Sequence, residues 1–338
     1  MTFLLLLLIV LCLLPSSYGY HSDFLSAENT LPIKGIFTFL VLFSHLRGYL
    51  TLSDSWVNNF YFAVQDRLGQ LIVTAFFFYS GFGIWESFKN KANYAQHFFQ
   101  KRFLKTLLHF DIIVSLFIIV QLLIPIVYTS REYLFCWIGW ESVGNSNWFV
   151  FDILILYLIS AFALFFHEKI GHGGIFITIL LTVLFWLFLH KIGKENYWID
   201  TLASFPFGML LSHYKKDILS LLSKKNMPYC LTSLCFILFL LVFKWRGVDI
   251  YGIAACTFCS LLVLGSSWLK ISNPILSWAG RNVFTIYMLQ RLPMLVLSHY
   301  GISFKPGLFI ILSCLLTFLL AESFSRFFKI VDHRVFRV

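Results

Sequence analysis

Along 338 residues the chain presents ten or eleven apolar stretches separated by short polar runs, at approximately 3–20, 34–52, 69–88, 106–128, 148–167, 173–190, 197–213, 229–244, 250–269, 282–299 and 307–325. A helix needs about 20 apolar residues to cross the roughly 30 Å hydrocarbon core of a bilayer. None of these stretches alternates as a barrel strand does, so helices are the remaining way to satisfy the backbone in lipid. The expectation is an all-α fold, a polytopic transmembrane helical bundle of 10–11 spans. Composition agrees: only 12% of residues are charged and the mean hydropathy is +0.80, whereas soluble domains carry about 25% charged residues. The net charge of +10 lies in short runs between apolar stretches. That is the pattern of membrane topology rather than of nucleic-acid binding.

Lysine and arginine placement sets the orientation. Loops 87–105 and 214–228, with Lys169, Lys270, Arg281 and the C-terminal residues, hold sixteen cations on one side, against seven on the other. The richer side is expected to be cytoplasmic, with the C-terminus there too, in a multi-pass protein of the cell (plasma or inner) membrane. Residues 1–20 read either as a signal-like segment or as an extra hydrophobic helix. The second fits better, because cleavage would leave Lys34 outside and no positive charge precedes the apolar run. Residues 21–327 form the expected membrane domain and 328–338 a basic cytoplasmic tail. The seven cysteines lie almost entirely within apolar stretches and read as small packing residues, and the single Cys256-Thr-Phe-Cys259 has no second ligand pair. No metal site is expected.

One apolar stretch is interrupted by a histidine, His45. An ionisable group at bilayer depth is costly and marks a functional-site candidate. Lys34 lies eleven residues earlier, almost three helical turns and about 16 Å of rise, which puts both on one helix face. The expected depth is the interface for Lys34 and about halfway through the core for His45. The bland alternative for His45 is a bond to a neighbouring helix. Arg102 and Lys105 begin another apolar stretch. They read either as topology determinants or as a clamp for a pyrophosphate. Asp111, Asp152 and Glu322 lie in or near spans, and each is a possible partner to orient His45. Gln290 and Arg291 form a further polar pair deep in an apolar segment. Aromatic and amide residues in the opposite loops, including Trp56, Asn147 and nearby tryptophans, read as an interfacial belt or as a platform for a sugar.

Taken in order, these segments resemble the acyltransferase-3 family of integral membrane acyltransferases, which O-acylate surface polysaccharides and related glycans. Glu28-Asn-Thr-Leu-Pro-Ile-Lys34-Gly35 through His45 is similar to the family's opening segment with its basic-x10-His motif. Phe76-Phe-Phe-Tyr-Ser80-Gly81 resembles its Phe-Phe-x-Ser-Gly stretch, and Arg102-Phe-Leu-Lys105 its Arg-x-x-Arg motif with lysine in second place. Asn147-Trp148-Phe149, Phe205-Pro-Phe-Gly208 and Gly280-Arg-Asn through Tyr287 match later landmarks. The resemblance covers roughly Ser26 to Phe327. It implies a cytoplasmic acyl-CoA donor, commonly acetyl-CoA, with no permanently bound cofactor, and a hydroxyl of a carbohydrate as acceptor. His45 would carry the catalytic role, Lys34, Arg102 and Lys105 would bind the donor, and Gln290, Arg291, Trp148 and Asn147 fall at the expected substrate side. The family often has histidine where Gln290 stands, so that second-histidine role does not carry over. An appended hydrolase-like domain is not expected. The competing expectation is a transporter or flippase with His45 and the intramembrane acids as a proton relay.

Overall fold

The computed structural model describes residues 1–336 apart from Pro15, 52–55, Pro125, 225–226 and 245–247. Lys225, Arg246 and Arg337, and the side chains of Trp56, Arg67 and Lys244, therefore lie outside the described residues. The chain runs through α1 (Thr2–Leu13), α2 (Ala27–Arg47), α3 (Trp56–Leu68), α4 (Leu71–Asn90) and α5 (Tyr94–Phe98). A π-helical turn, Phe99–Leu104, leads into α6 (Lys105–Gln121), followed by α7 (Ser130–Phe135), α8 (Trp148–Ile170), α9 (Gly174–Lys191), α10 (Asn196–Ile199) and α11 (Ser204–His213). The remaining helices are α12 (Lys215–Leu222), α13 (Met227–Lys244), α14 (Val248–Trp268), α15 (Pro274–Arg281), α16 (Val283–Leu289), α17 (Arg291–His299) and α18 (Pro306–Phe336). Among the described residues the strands amount to one antiparallel ladder, Ser17–Tyr18 on Leu269–Lys270.

The fold is an all-α polytopic bundle. Among the described residues seven helices are long and apolar enough to cross a membrane, or up to eight if α12 and α13 count as one span. The other apolar stretches fold as shorter pieces: α1, the pair α10 and α11, and the pair α16 and α17. The last break has a local cause. Pro293 offers no N–H to the Leu289 carbonyl and its ring crowds that carbonyl, so the helix parts at Gln290. Residues 328–336, expected as a tail, instead continue α18, with Phe328 and Asp332 buried.

Two helix crossings hold the centre together, and each uses glycines from both partners. On α4 and α11, a Cβ added to Gly81 would run into the Phe205 carbonyl, and one on Gly208 into the Phe78 carbonyl. On α2 and α15, Gly35 meets the Leu276 carbonyl and Gly280 the Leu31 carbonyl in the same way. Without a hydrophobic driving force between helices in lipid, such close backbone approach is what small residues provide. The glycine motifs that stand far apart in sequence are thus facing halves of two contacts.

Candidate active site

Helix α2 carries Lys34 and His45. Ser26 caps it, its Oγ accepting from the Asn29 N–H at 3.2 Å, so the helix begins seven residues before Lys34. Lys34 therefore lies about 10 Å inside the helix start, and His45 lies in its last turn. Both stand nearer the far end of the helix than the apolar run alone suggested.

At the Lys34 end, the ammonium lies over the Tyr79 ring, 5.2 Å from its centroid. Arg102 is close enough to Lys34 to repel it, and it sits beside the Tyr94 and Tyr157 side chains. Tyr157 Oη is 3.2 Å from Ser80 Oγ. Among the described residues neither Lys34 nor Arg102 has an ion-pair partner. Two like charges held together without a carboxylate form a place for an anion. The π-helical turn that carries Arg102 has a wider turn than an α-helix, and such insertions recur at functional sites. Lys105, just beyond it, turns elsewhere. Its Nζ is 2.5 Å from Asp332 of α18, which also bonds His109 Nε2 at 2.9 Å; the His109 ring stacks on Phe328 at 4.0 Å. The structure brings Arg102 to Lys34 and leaves Lys105 on a separate partner.

At the other end, the His45 ring lies edge-on to Tyr287, 6.4 Å between centroids, with Arg291 in electrostatic range. Arg291 Nη1 donates to the Asn145 carbonyl at 3.2 Å. The loop before α8 is fixed by one of its own side chains and one from the end of α6: Asn145 Oδ1 accepts from the Val143 N–H at 3.0 Å, and Gln121 Nε2 donates to the Val143 carbonyl at 2.8 Å. Gly144, at φ +91°, makes the turn that an L side chain would strain. Tyr287 also lies in hydrogen-bonding reach of Ser146 and in electrostatic range of Asp152, and it packs on Phe149, 5.3 Å between ring centroids. Gln290, fully buried at the helix break, donates from Nε2 to the Tyr287 carbonyl at 3.1 Å.

Around Tyr287 and Arg291 several buried polar atoms have no hydrogen-bond partner among the described residues: Asn145 Nδ2, both Asp152 carboxylate oxygens, Gln290 Oε1 and Arg291 Nε. Buried polar groups are almost always paired, so a concentration of unpaired ones marks a site with a missing ligand or water. The set mixes donors and acceptors.

Of the acids considered as partners of His45, none hydrogen-bonds its ring among the described residues. Glu322 accepts from Trp278 Nε1 and pairs with Arg326, both at 2.9 Å. Asp111 lies near Cys136. Asp152 belongs to the His45 cluster through Tyr287. Asn147 has its amide committed to the Gly139 carbonyl at 3.0 Å. Trp148 is half-buried against Phe149 and Tyr197, with centroids at 6.0 and 5.6 Å. Sequence reading missed Tyr79, Tyr94, Tyr157 and Tyr287 as site residues, and Ser146 with them; Asn145 it had only as one of the loop amides that could flank a sugar platform. The available signal was a tyrosine hydroxyl in an otherwise apolar helix, a group that needs a partner when buried.

A family model described as an acyltransferase domain, acyltransferase-3, matches residues 33–326. The chain belongs to this family. No curated protein and no solved structure matches the chain. Family membership makes the bundle a membrane acyltransferase, with an acyl donor and a hydroxyl acceptor, and sets aside the transporter alternative. Among the described residues no group of three or more histidine, cysteine or acidic side chains is arranged to hold a metal.

Proposed function

We propose that the protein is an O-acyltransferase that moves an acyl group, acetyl in the first instance, from acyl-CoA to a hydroxyl of a cell-surface carbohydrate. One observation carries this reading. Helix α2 brings Lys34 beside Arg102 of the π-helical turn, two cations with no ion-pair partner among the described residues, and about 16 Å further along it carries a histidine beside unpaired donors and acceptors. The first suits the phosphates of a CoA and the second a polyhydroxylated ring, which both donates and accepts. An extended pantetheine arm covers the distance between them.

In this scheme Lys34 and Arg102 hold the donor pyrophosphate, and the thioester reaches toward His45. His45 takes the proton of the acceptor hydroxyl as that oxygen attacks the acyl carbonyl. The C–S bond breaks, the ester forms, and the leaving thiolate takes a proton. Arg291 stands where the developing oxyanion, or the acceptor itself, would accept a hydrogen bond. Asp152, Gln290 and Asn145 orient the sugar, with Trp148 at its edge. Lys105 supports the donor side from its place on Asp332.

The test is direct. The protein in lipid nanodiscs is titrated with acetyl-CoA, and slow hydrolysis is followed without acceptor, beside His45→Ala and Arg102→Ala. The reading expects binding and hydrolysis by wild type, lost binding in Arg102→Ala, and binding without hydrolysis in His45→Ala. A folded wild type that does not bind acetyl-CoA overturns the donor assignment.

A further inference from the structure

Away from α2 a second region holds unsatisfied polar groups, on the face formed by α4, α8, α9 and α11. A groove of about 600 Å³ opens there between the end of α4, the α8–α9 turn and the end of α11, with His167, His172, His213 and Lys89 on its walls. It shares Ile179 and Leu210 with an almost wholly apolar slot of about 380 Å³ that continues between α9, α11 and α14. The two volumes meet at these residues, and the titratable side chains line the first.

The polar end favours negative charge for three reasons. First, α9 is an 18-residue helix whose start, Gly173–Gly174, lies in the groove wall. Its Gly174 N–H is taken by His167 Nδ1 at 3.2 Å, and the next N–H groups have no intrahelical acceptor, as at any helix start. Second, Lys89 and Lys215 share a single carboxylate, Glu86, each at 3.2 Å, which leaves an excess positive charge beside the imidazoles. Third, Trp85 lines the groove while only 2% exposed, and its indole Nε1 has no acceptor among the described residues. His167 and His213 both lie edge-on to that indole, at 5.2 and 5.9 Å. A buried donor without a partner, at the mouth of a helix dipole, fits a ligand that brings oxygen atoms.

We propose that this groove is a binding site for an anionic glycerophospholipid. Its phosphate lies at the α9 start among His172, His213 and Trp85, and one acyl chain lies along the slot past Ile179. A free anion would leave the apolar slot without an occupant, and a neutral lipid would leave the charge excess without one. The site shares no residue with Lys34, Arg102 or His45, so it stands whether or not the proposed acyl transfer does.

The experiment uses the full chain in phosphatidylcholine nanodiscs containing graded phosphatidylglycerol, with retained lipid counted by native mass spectrometry after release into detergent. Wild type is expected to retain one phosphatidylglycerol with a preference of about tenfold over phosphatidylcholine. The double variant His172→Ala/His213→Ala, two exposed side chains, removes the preference but not lipid binding. Ile179→Trp fills the slot and reduces retention of both lipids; the histidine pair gives an independent reading should that variant not fold. Equal retention of the two lipids by wild type overturns the proposal, as does a preference that survives the double variant. Displacement of phosphatidylglycerol by inorganic phosphate alone, or by a polyprenyl phosphate in preference, assigns the groove to another ligand and overturns it equally.

Discussion

At the Lys34 end of α2 two cations have no ion-pair partner among the described residues, and the buried Tyr79 hydroxyl has no hydrogen-bond partner there. At the His45 end the atoms without a hydrogen-bond partner are an amide nitrogen, an amide oxygen, a guanidinium nitrogen and a whole carboxylate. The difference is one of ligand chemistry. Repulsion between Lys34 and Arg102 is relieved by an anion, because among the described residues no acid pairs with either. The far cluster is instead nearly balanced in charge, with Arg291 against Asp152, and its need is for hydrogen bonds. An enzyme that joins a phosphate-rich donor to a hydroxylated acceptor requires both environments, held a fixed distance apart. A single continuous helix supplies that distance.

The comparison breaks most clearly at His45. His45→Ala should lower acyl transfer by about a thousandfold, in the range of a lost general base, while acetyl-CoA affinity measured calorimetrically stays unchanged. Equal loss of affinity would mean that the two ends do not act separately. Arg102→Ala should weaken donor binding by about ten- to a hundredfold, the size of a lost charge-assisted hydrogen bond to phosphate. Arg102→Lys keeps the charge but loses the bidentate fork, so it should recover only part of that affinity.

Asp152→Asn preserves shape and removes the carboxylate. The acceptor KM should rise by about tenfold with donor affinity constant, and a change in donor affinity instead would move Asp152 out of the acceptor end. Lys105→Ala is the smallest expected effect, about threefold or less on donor affinity, since its charge is already spent on Asp332, as in an ordinary ion pair. A loss as large as that of Arg102→Ala would show that Lys105 leaves Asp332 when the donor binds.

Much of this was legible in the residue order. Twenty-residue apolar runs without barrel-strand alternation call for helices, the other structure besides a closed barrel that closes its backbone bonds in lipid, and the family follows from motifs in series. Lys34 and His45 could be placed on one face because eleven residues fix a rotation within a single helix. Their depth could not, because that depends on where Ser26 starts the helix. Nor could the sequence show that Pro293 splits an apolar run to open the backbone at Gln290, or that Lys105 parts company with Arg102 across a π-helical turn. The spans also outnumbered the long helices, because hydropathy counts apolar residues and does not detect a break.

What the sequence determined by itself was everything local: helical class, glycine positions, the same-face pair on α2 and the excess of positive charge in particular loops. What only the tertiary structure decided was partnership. It pairs Gly81 with Phe205 and Gly35 with Leu276, gives Lys105 to Asp332 rather than to Lys34, and gathers Asn145, Asp152, Tyr287 and Arg291 around His45. Such contacts join residues more than a hundred positions apart. They are set by how whole helices pack, and no periodicity within one helix encodes which other helix it will meet.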